Sequence, residues 1–335
     1  MPISIIRFRH ESQIYWGSLQ DQTLTPINTS GLKKSSNNNK ELTTNEFVSL
    51  GYDSIQKLID ENSQQNDVRT FDYQQVELLS PITNDSKVLC QGVNYRQHMI
   101  DSGVDPDQQN FNMFFTKSSA SITGPAGKIV RPDHVELLDY EIELTLVLAK
   151  ETHQAETISE DNLHEYIAGI CIGNDVSARD VQIPQMQFHK GKSYRTFCPL
   201  GPILCLLNKD EMHLLDDLQL TLKVNGEIRQ QDNTRNLVYK PAQTLSEYSQ
   251  IANFNPGDVL MTGTPSGCAL GLPSPLLVRI AALLPEKMKW SLFLSKQKQR
   301  PQYLQPGDVI ESSISSPDGM VNLGTQNHRI EQANS

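Results

Sequence analysis

Two glutamates, Glu141 and Glu143, stand two residues apart in the run Asp139-Tyr-Glu-Ile-Glu-Leu-Thr-Leu-Val-Leu148. The run alternates with the period of a β-strand, so Tyr140, Ile142, Leu144, Leu146 and Leu148 face one way and Glu141, Glu143 and Thr145 the other. Positions two apart on a strand are separated by about 6 to 7 Å, so both carboxylates can converge on one cation. Taken alone, the pair is also what a solvated edge strand carries. A third acid, Asp175, follows the apolar run Ile167 to Ile172 and opens the polar string Asn174-Asp-Val-Ser-Ala-Arg-Asp180. Charged groups directly behind a buried strand are rarely buried unless paired or metal-bound. Three carboxylates without clustered histidine or cysteine favour a hard, oxygen-seeking divalent ion, Mg2+ or Mn2+, one per chain.

A second constellation lies upstream. His98 follows the strand-like segment ending at Val93, and Asp101 is three residues further on, on the same face of a helical turn. A carboxylate beside an imidazole orients it and raises its basicity, as a general base requires. Lys117, Arg179, Gln182, Lys192 and Thr264 are the remaining polar candidates, and the planar fork of an arginine suits a substrate carboxylate.

These residues fall in seven blocks: residues 92–98 (GVNYRQH), 114–117 (FFTK), 140–143 (YEIE), 174–180 (NDVSARD), 191–202 (GKSYRTFCPLGP), 224–227 (VNGE) and 257–265 (GDVLMTGTP). In this order they resemble the fumarylacetoacetate hydrolase family, in its branch of acylpyruvate hydrolases and 2-hydroxyhepta-2,4-diene-1,7-dioate isomerases. The resemblance covers residues 85 to 330. It implies a metal held by Glu141, Glu143 and Asp175, catalysis by His98, Asp101 and Lys192, and substrate binding by Lys117, Arg179, Gln182 and Thr264. Family hydrolases carry Glu where this chain has Asp101, and many members carry an acid where it has Arg195. Lys192, rather than Lys190, matches the motif. The implied activity is hydrolysis of a C–C bond in an acylpyruvate-like 2,4-dioxo acid through a metal-stabilised enolate. Isomerisation, decarboxylation, tautomerisation or hydration of a related 2-oxo or 2-hydroxy-dienoate acid needs the same enolate, and an inactive ligand-binding homologue is a further alternative. A homodimer is also implied.

At 335 residues the chain can bury a sizeable core. A net charge of -10 argues against nucleic acid or an anionic membrane as principal partner and leaves a small anionic keto acid open. Five cysteines without a CxxC pair read as reduced thiols of a cytoplasmic protein, and neither a signal peptide nor a bilayer-spanning run is evident.

Short β-rich runs separated by Gly, Pro, Asn and Asp predict a strand-dominated α+β fold, with Asn225-Gly226 as a hairpin turn. Residues 1–80 are expected to form a small N-terminal domain and 81–335 the catalytic domain, a mixed β-sandwich or roll in this family. Thr44 and Asp53 are candidate caps of two short helices, and Lys33 to Lys40 a polar loop. Residues 270–305 stand apart. From Leu276 to Arg300 six basic residues face the single acid Glu286, interleaved with Trp290, Phe293 and several leucines. Two amphipathic pieces split at Pro285 are expected, burying both aromatics against their own chain or a second subunit.

Overall fold

The computed structural model describes residues 1–29, 41–64, 68–108, 111–271 and 283–333. The expected loop at 33–40 and the first amphipathic piece up to residue 282 lie outside them.

The architecture is α+β and rich in strands. One large sheet carries the catalytic segment at its centre: the strand Ile142–Leu148 runs antiparallel to Ile167–Asn174 on one side and to Val259–Met261 on the other. Its alternation produces two cores. Ile142, Leu144, Leu146 and Leu148 enter one cluster with Tyr140, while Val147 on the opposite face enters the other with Val88, Cys90, Cys171 and Met261. Fully burying each such aliphatic chain is worth about 1.5 to 3 kcal/mol, and every residue of this strand is buried. A second, five-stranded sheet includes the hairpin Gln219–Val224 and Glu227–Asn233. Asn225 at φ 51° and Gly226 at φ 81° supply the two left-handed positions expected of its turn.

Strands within residues 1–80 continue the large sheet. Ile3–His10 pairs with Ile203–Leu206, so hydrogen bonds cross the position expected to be a domain boundary. The first helix, Thr44–Val48, starts one residue earlier than expected, because Thr43 forms a capping box with Glu46. The second, Tyr52–Ser63, begins after Gly51 without a side-chain cap, so Asp53 lies within the first turn. All five cysteines are free thiols, and four are buried. Among the described residues no helix is long and apolar enough to cross a membrane.

After Pro285 the helix Glu286–Gln297 forms as the spacing predicts, but its apolar face is only partly used. Leu294 packs against the main core, whereas Met288 and Leu292 are exposed. Trp290 and Phe293 are only half-buried, edge to face at 6.0 Å, with the Lys289 ammonium over the indole. Within this chain, then, the expected burial of both aromatics is not achieved.

Candidate metal centre and active site

Glu141 and Glu143 lie at the start of the central strand, and Asp175 comes just past the end of its neighbour. The amide of Asp175 donates to the carbonyl of Glu141 at 2.8 Å, which locks the two segments side by side. One oxygen from each of the three carboxylates can be chosen so that all lie within 4.8 Å of one another, and all three residues are buried. The sequence-derived triad is therefore a single cluster.

Like charges so close are costly in a dry pocket. Burial, with the charges of Asp175 and Glu141 added, pushes the Glu143 carboxyl well above its usual range. Burial alone would raise Glu141 too, but Arg179 and Lys192 outweigh it and hold that carboxyl at about 2. Counting the buried Asp139, four carboxylates face three cations, Lys117, Arg179 and Lys192. An oxygen-only donor set with surplus negative charge fits a hard dication, which would remove the repulsion that falls on Glu143.

The three cations hold the acids in place. Lys192 donates to Glu141 Oε2 at 2.8 Å, to Asp175 Oδ2 at 2.5 Å and to Ser177 Oγ at 2.9 Å, whereas Lys190 is exposed and bonds Gln185. Arg179 uses its fork on three groups: Nε on Asp139 Oδ2 at 2.8 Å, Nη1 on Gln182 Oε1 at 2.8 Å, and Nη2 on Glu141. Lys117 departs from its expected role. Its ammonium is fully buried, on Asp175 Oδ1 at 2.5 Å and the carbonyls of Phe197 and Val176, so here it positions a carboxylate of the triad and does not line the cavity. Arg195 is exposed.

The cluster opens into a cavity of about 520 Å³ lined by His98, Asp101, Gln182, Lys192 and Thr264, among others. His98 sits on the helix Arg96–Asp101. Burial lowers its pKa below 6.5, so the imidazole is neutral at physiological pH. The expected His98–Asp101 hydrogen bond is not made. Asp101 instead accepts from Gln97 Nε2 at 2.9 Å and from Ser266 Oγ, and the His98 ring has no hydrogen-bond partner among the described residues. Gln97 and Ser266 instead hold one oxygen each of the Asp101 carboxylate, along the helix and from the facing loop.

That loop, residues 263–271, is zipped onto residues 139–143. Gly263 N donates to Glu143 Oε2 at 2.7 Å, and Thr264 Oγ1 to the carbonyl of Ile142 at 2.9 Å. Tyr140 Oη reaches the Gly267 carbonyl, while the amides of Ala269 and Leu270 donate to the two oxygens of Asp139 at 2.7 and 3.0 Å. Gly263 has φ +91°, and a Cβ there would come within 2.9 Å of the Asn94 side chain, so glycine is required. Thr264 lines the pocket as expected, but its hydroxyl is already shared between Ile142 and Gln230 Nε2. Three residues here escaped the sequence analysis: Asp139, Ser177 and Arg300. Asp139 shares the strand parity of Glu141 and Glu143, a signal that was available; the other two carried none.

Comparison with known proteins identifies the family and the fold. The chain is 36% identical over 206 residues to the mitochondrial oxaloacetate tautomerase Fahd2a of Rattus norvegicus, covering 61% of this chain and 64% of the rat protein, just under two thirds of its length. Its fold matches that of fumarylacetoacetate hydrolase from psychrophilic Exiguobacterium antarcticum, with a TM-score of 0.72, 25% identity, and coverage of 99% and 100% of the two chains. It also matches maleylpyruvate hydrolase from Sphingobium sp. SYK-6, solved with manganese(II) and pyruvate, with a TM-score of 0.70, 20% identity, and coverage of 99% and 100%. Residues 87–331, which carry the three clustered carboxylates and the described residues of the pocket wall, match the model of the fumarylacetoacetate (FAA) hydrolase C-terminal domain, and the chain belongs to the fumarylacetoacetate hydrolase family.

Proposed function

We propose that this family enzyme interconverts the enol and keto forms of a small 2-oxo acid of the oxaloacetate type, with Mg2+ or Mn2+ held by Glu141, Glu143 and Asp175. One observation carries the choice of tautomerisation over C–C hydrolysis. His98 is neutral and without a hydrogen-bond partner in the pocket, while Asp101, the residue that hydrolysis would ask to orient it, is engaged by Ser266 and Gln97. A base working alone suffices for a proton shift; delivering water to a distal carbonyl calls for an orienting partner. The rat relative is an oxaloacetate tautomerase by name, which supports the same reading.

When bound, the divalent ion supplies Lewis acidity toward the 2-oxo group. In the enolisation direction, neutral His98 removes the proton from the carbon next to that group and becomes imidazolium. It then gives the same proton to the 2-oxygen, so the enol forms without net loss or gain. Running backward, the sequence returns the keto acid. Arg179 and Lys192 keep Glu141 ionised, and Lys117 and Lys192 fix the carboxylate of Asp175 in place.

The test is a comparison on metal-loaded protein of enol-oxaloacetate decay, followed in the near ultraviolet, with cleavage of an acylpyruvate series. Faster tautomerisation, lost in His98→Gln, supports the proposal. Cleavage with tautomerisation no faster than in buffer would instead support the hydrolase, for which the nearness of Asp101 in the same cavity is the favouring feature.

A further inference from the structure

Three cations line the cavity: Arg179, Lys192 and Arg300. The first two are committed to buried carboxylates, as described above. Arg300 differs. It forms no ion pair among the described residues, and the one hydrogen bond of its guanidinium runs from Nε to the Ala269 carbonyl at 2.8 Å. Its terminal amino groups remain as donors on the cavity wall. This arginine comes from the basic segment that follows the helix Glu286–Gln297, far in sequence from every block of the metal centre.

Several contacts hold it there. Gln297 Nε2 donates to the Gly271 carbonyl at 2.5 Å, and Gln297 Oε1 accepts from Gly271 N at 3.3 Å and from Tyr303 Oη at 2.8 Å. Gly271 leaves space for the guanidinium itself, since a Cβ there would lie 2.3 Å from Arg300 Nη1 and 2.5 Å from its Cζ. A side chain that large, tethered by Nε and fitted against a glycine, is a preorganised anion receptor whose fork matches a carboxylate.

Resting on the proposed 2-oxo acid chemistry of this site, we infer that Arg300 is a specificity-determining residue that takes the second carboxylate of a 2-oxo dicarboxylic acid. The 2-oxo acid end lies at the triad and the distal carboxylate meets the guanidinium. Asp101, the remaining carboxylate at the cavity wall outside the triad, is occupied by Ser266 and Gln97 and does not compete for Arg300.

Calorimetric binding to the magnesium-loaded full chain tests this with matched pairs of ligands: oxaloacetate with 2-oxobutyrate, 2-oxoglutarate with 2-oxopentanoate, and 2-oxoadipate with 2-oxohexanoate. Wild type should prefer the dicarboxylate in at least one pair. Arg300→Gln should reduce that preference by about 10- to 100-fold, the range of a lost charge-assisted hydrogen bond, while affinity for the monocarboxylate falls far less. Gly271→Ala should do the same by displacing the guanidinium without removing it, and Arg300→Lys should be intermediate. No preference in the wild type, or a preference that survives both Arg300→Gln and Gly271→Ala, overturns the inference and leaves the 2-oxo acid site standing. Equal loss for both members of a pair assigns Arg300 a merely structural role and also overturns it. If wild type binds none of these acids, the proposed site chemistry falls first and the inference falls with it.

Discussion

Replacing Lys117 by Met isolates what a buried cation does beside a metal ligand. The ammonium is wholly buried, contacts Asp175 at 2.5 Å and lies outside the pocket wall, so its loss strands a buried carboxylate whose remaining cationic partner is Lys192. Removing one partner of a buried ion pair costs about 3 to 5 kcal/mol, more than the slightly shorter apolar side chain can return by packing. With about 2.1 cal/mol/K of unfolding entropy per residue, a 335-residue chain melting as one unit should lose roughly 4 to 7 °C. The measurement is thermal unfolding by circular dichroism, first with chelator present. Adding Mn2+ should return part of the loss, because a dication takes over the charge of Asp175. The double variant Lys117→Met/Asp175→Asn, which removes both charges, should melt above the single variant in chelator. A single variant that melts within about 1 °C of wild type in chelator and changes only KM would refute the reasoning and restore Lys117 to the substrate side.

His98→Gln should cut kcat by about 10² to 10⁴, the usual cost of removing a general base, and the acid limb of the wild-type rate profile should lie below pH 6.5 because burial lowers the imidazole pKa. An acid limb above 6.5 would contradict the buried, neutral base. His328 offers a linkage test away from the site: burial lowers its pKa while Nε2 bonds the Gly124 carbonyl at 2.9 Å. Above pH 6.5 it is neutral in both folded and unfolded chains; as pH falls through 6.5 the unfolded chain gains the proton first, so stability is lost, and His328→Gln should lose less over that window in a melting series. A homodimer is expected to use the exposed Met288 and Leu292, so replacing residues 286–299 with a Gly-Ser linker should raise the dissociation constant measured by light scattering; unchanged assembly would exclude that helix from the contact.

The clustering of the three carboxylates was legible because its signals are local: strand parity aligns Glu141 with Glu143, and Asp175 follows an apolar run that pairs with the neighbouring strand. The central sheet was legible for the same reason. Pairings between distant segments were not. Lys117 and Arg179 carry the same charge in the sequence, and only tertiary placement turns one wholly inward, onto a ligand, while the other also borders the cavity. The separation of His98 from Asp101 depends on Ser266, a residue 165 positions from Asp101 that no spacing rule connects to it. Trp290 and Phe293 misled because large apolar side chains imply burial, yet an apolar residue at the surface is ordinary, and here a lysine and a ring edge cover part of each.

The grip of the segment 283–303 on the pocket loop separates two jobs within the site. Gln297 and Arg300 hold that loop through the carbonyl of Ala269 and the main-chain groups of Gly271, contacts that need a glycine at 271 but no other particular side chain of the loop. The metal ligands, by contrast, are tied into paired strands and a buried charge cluster that tolerate little change. A change in this segment therefore moves Arg300 without disturbing the carboxylate cluster. Exchanging the 283–303 segment between homologues would be an economical way to re-aim the catalyst at acids of different length.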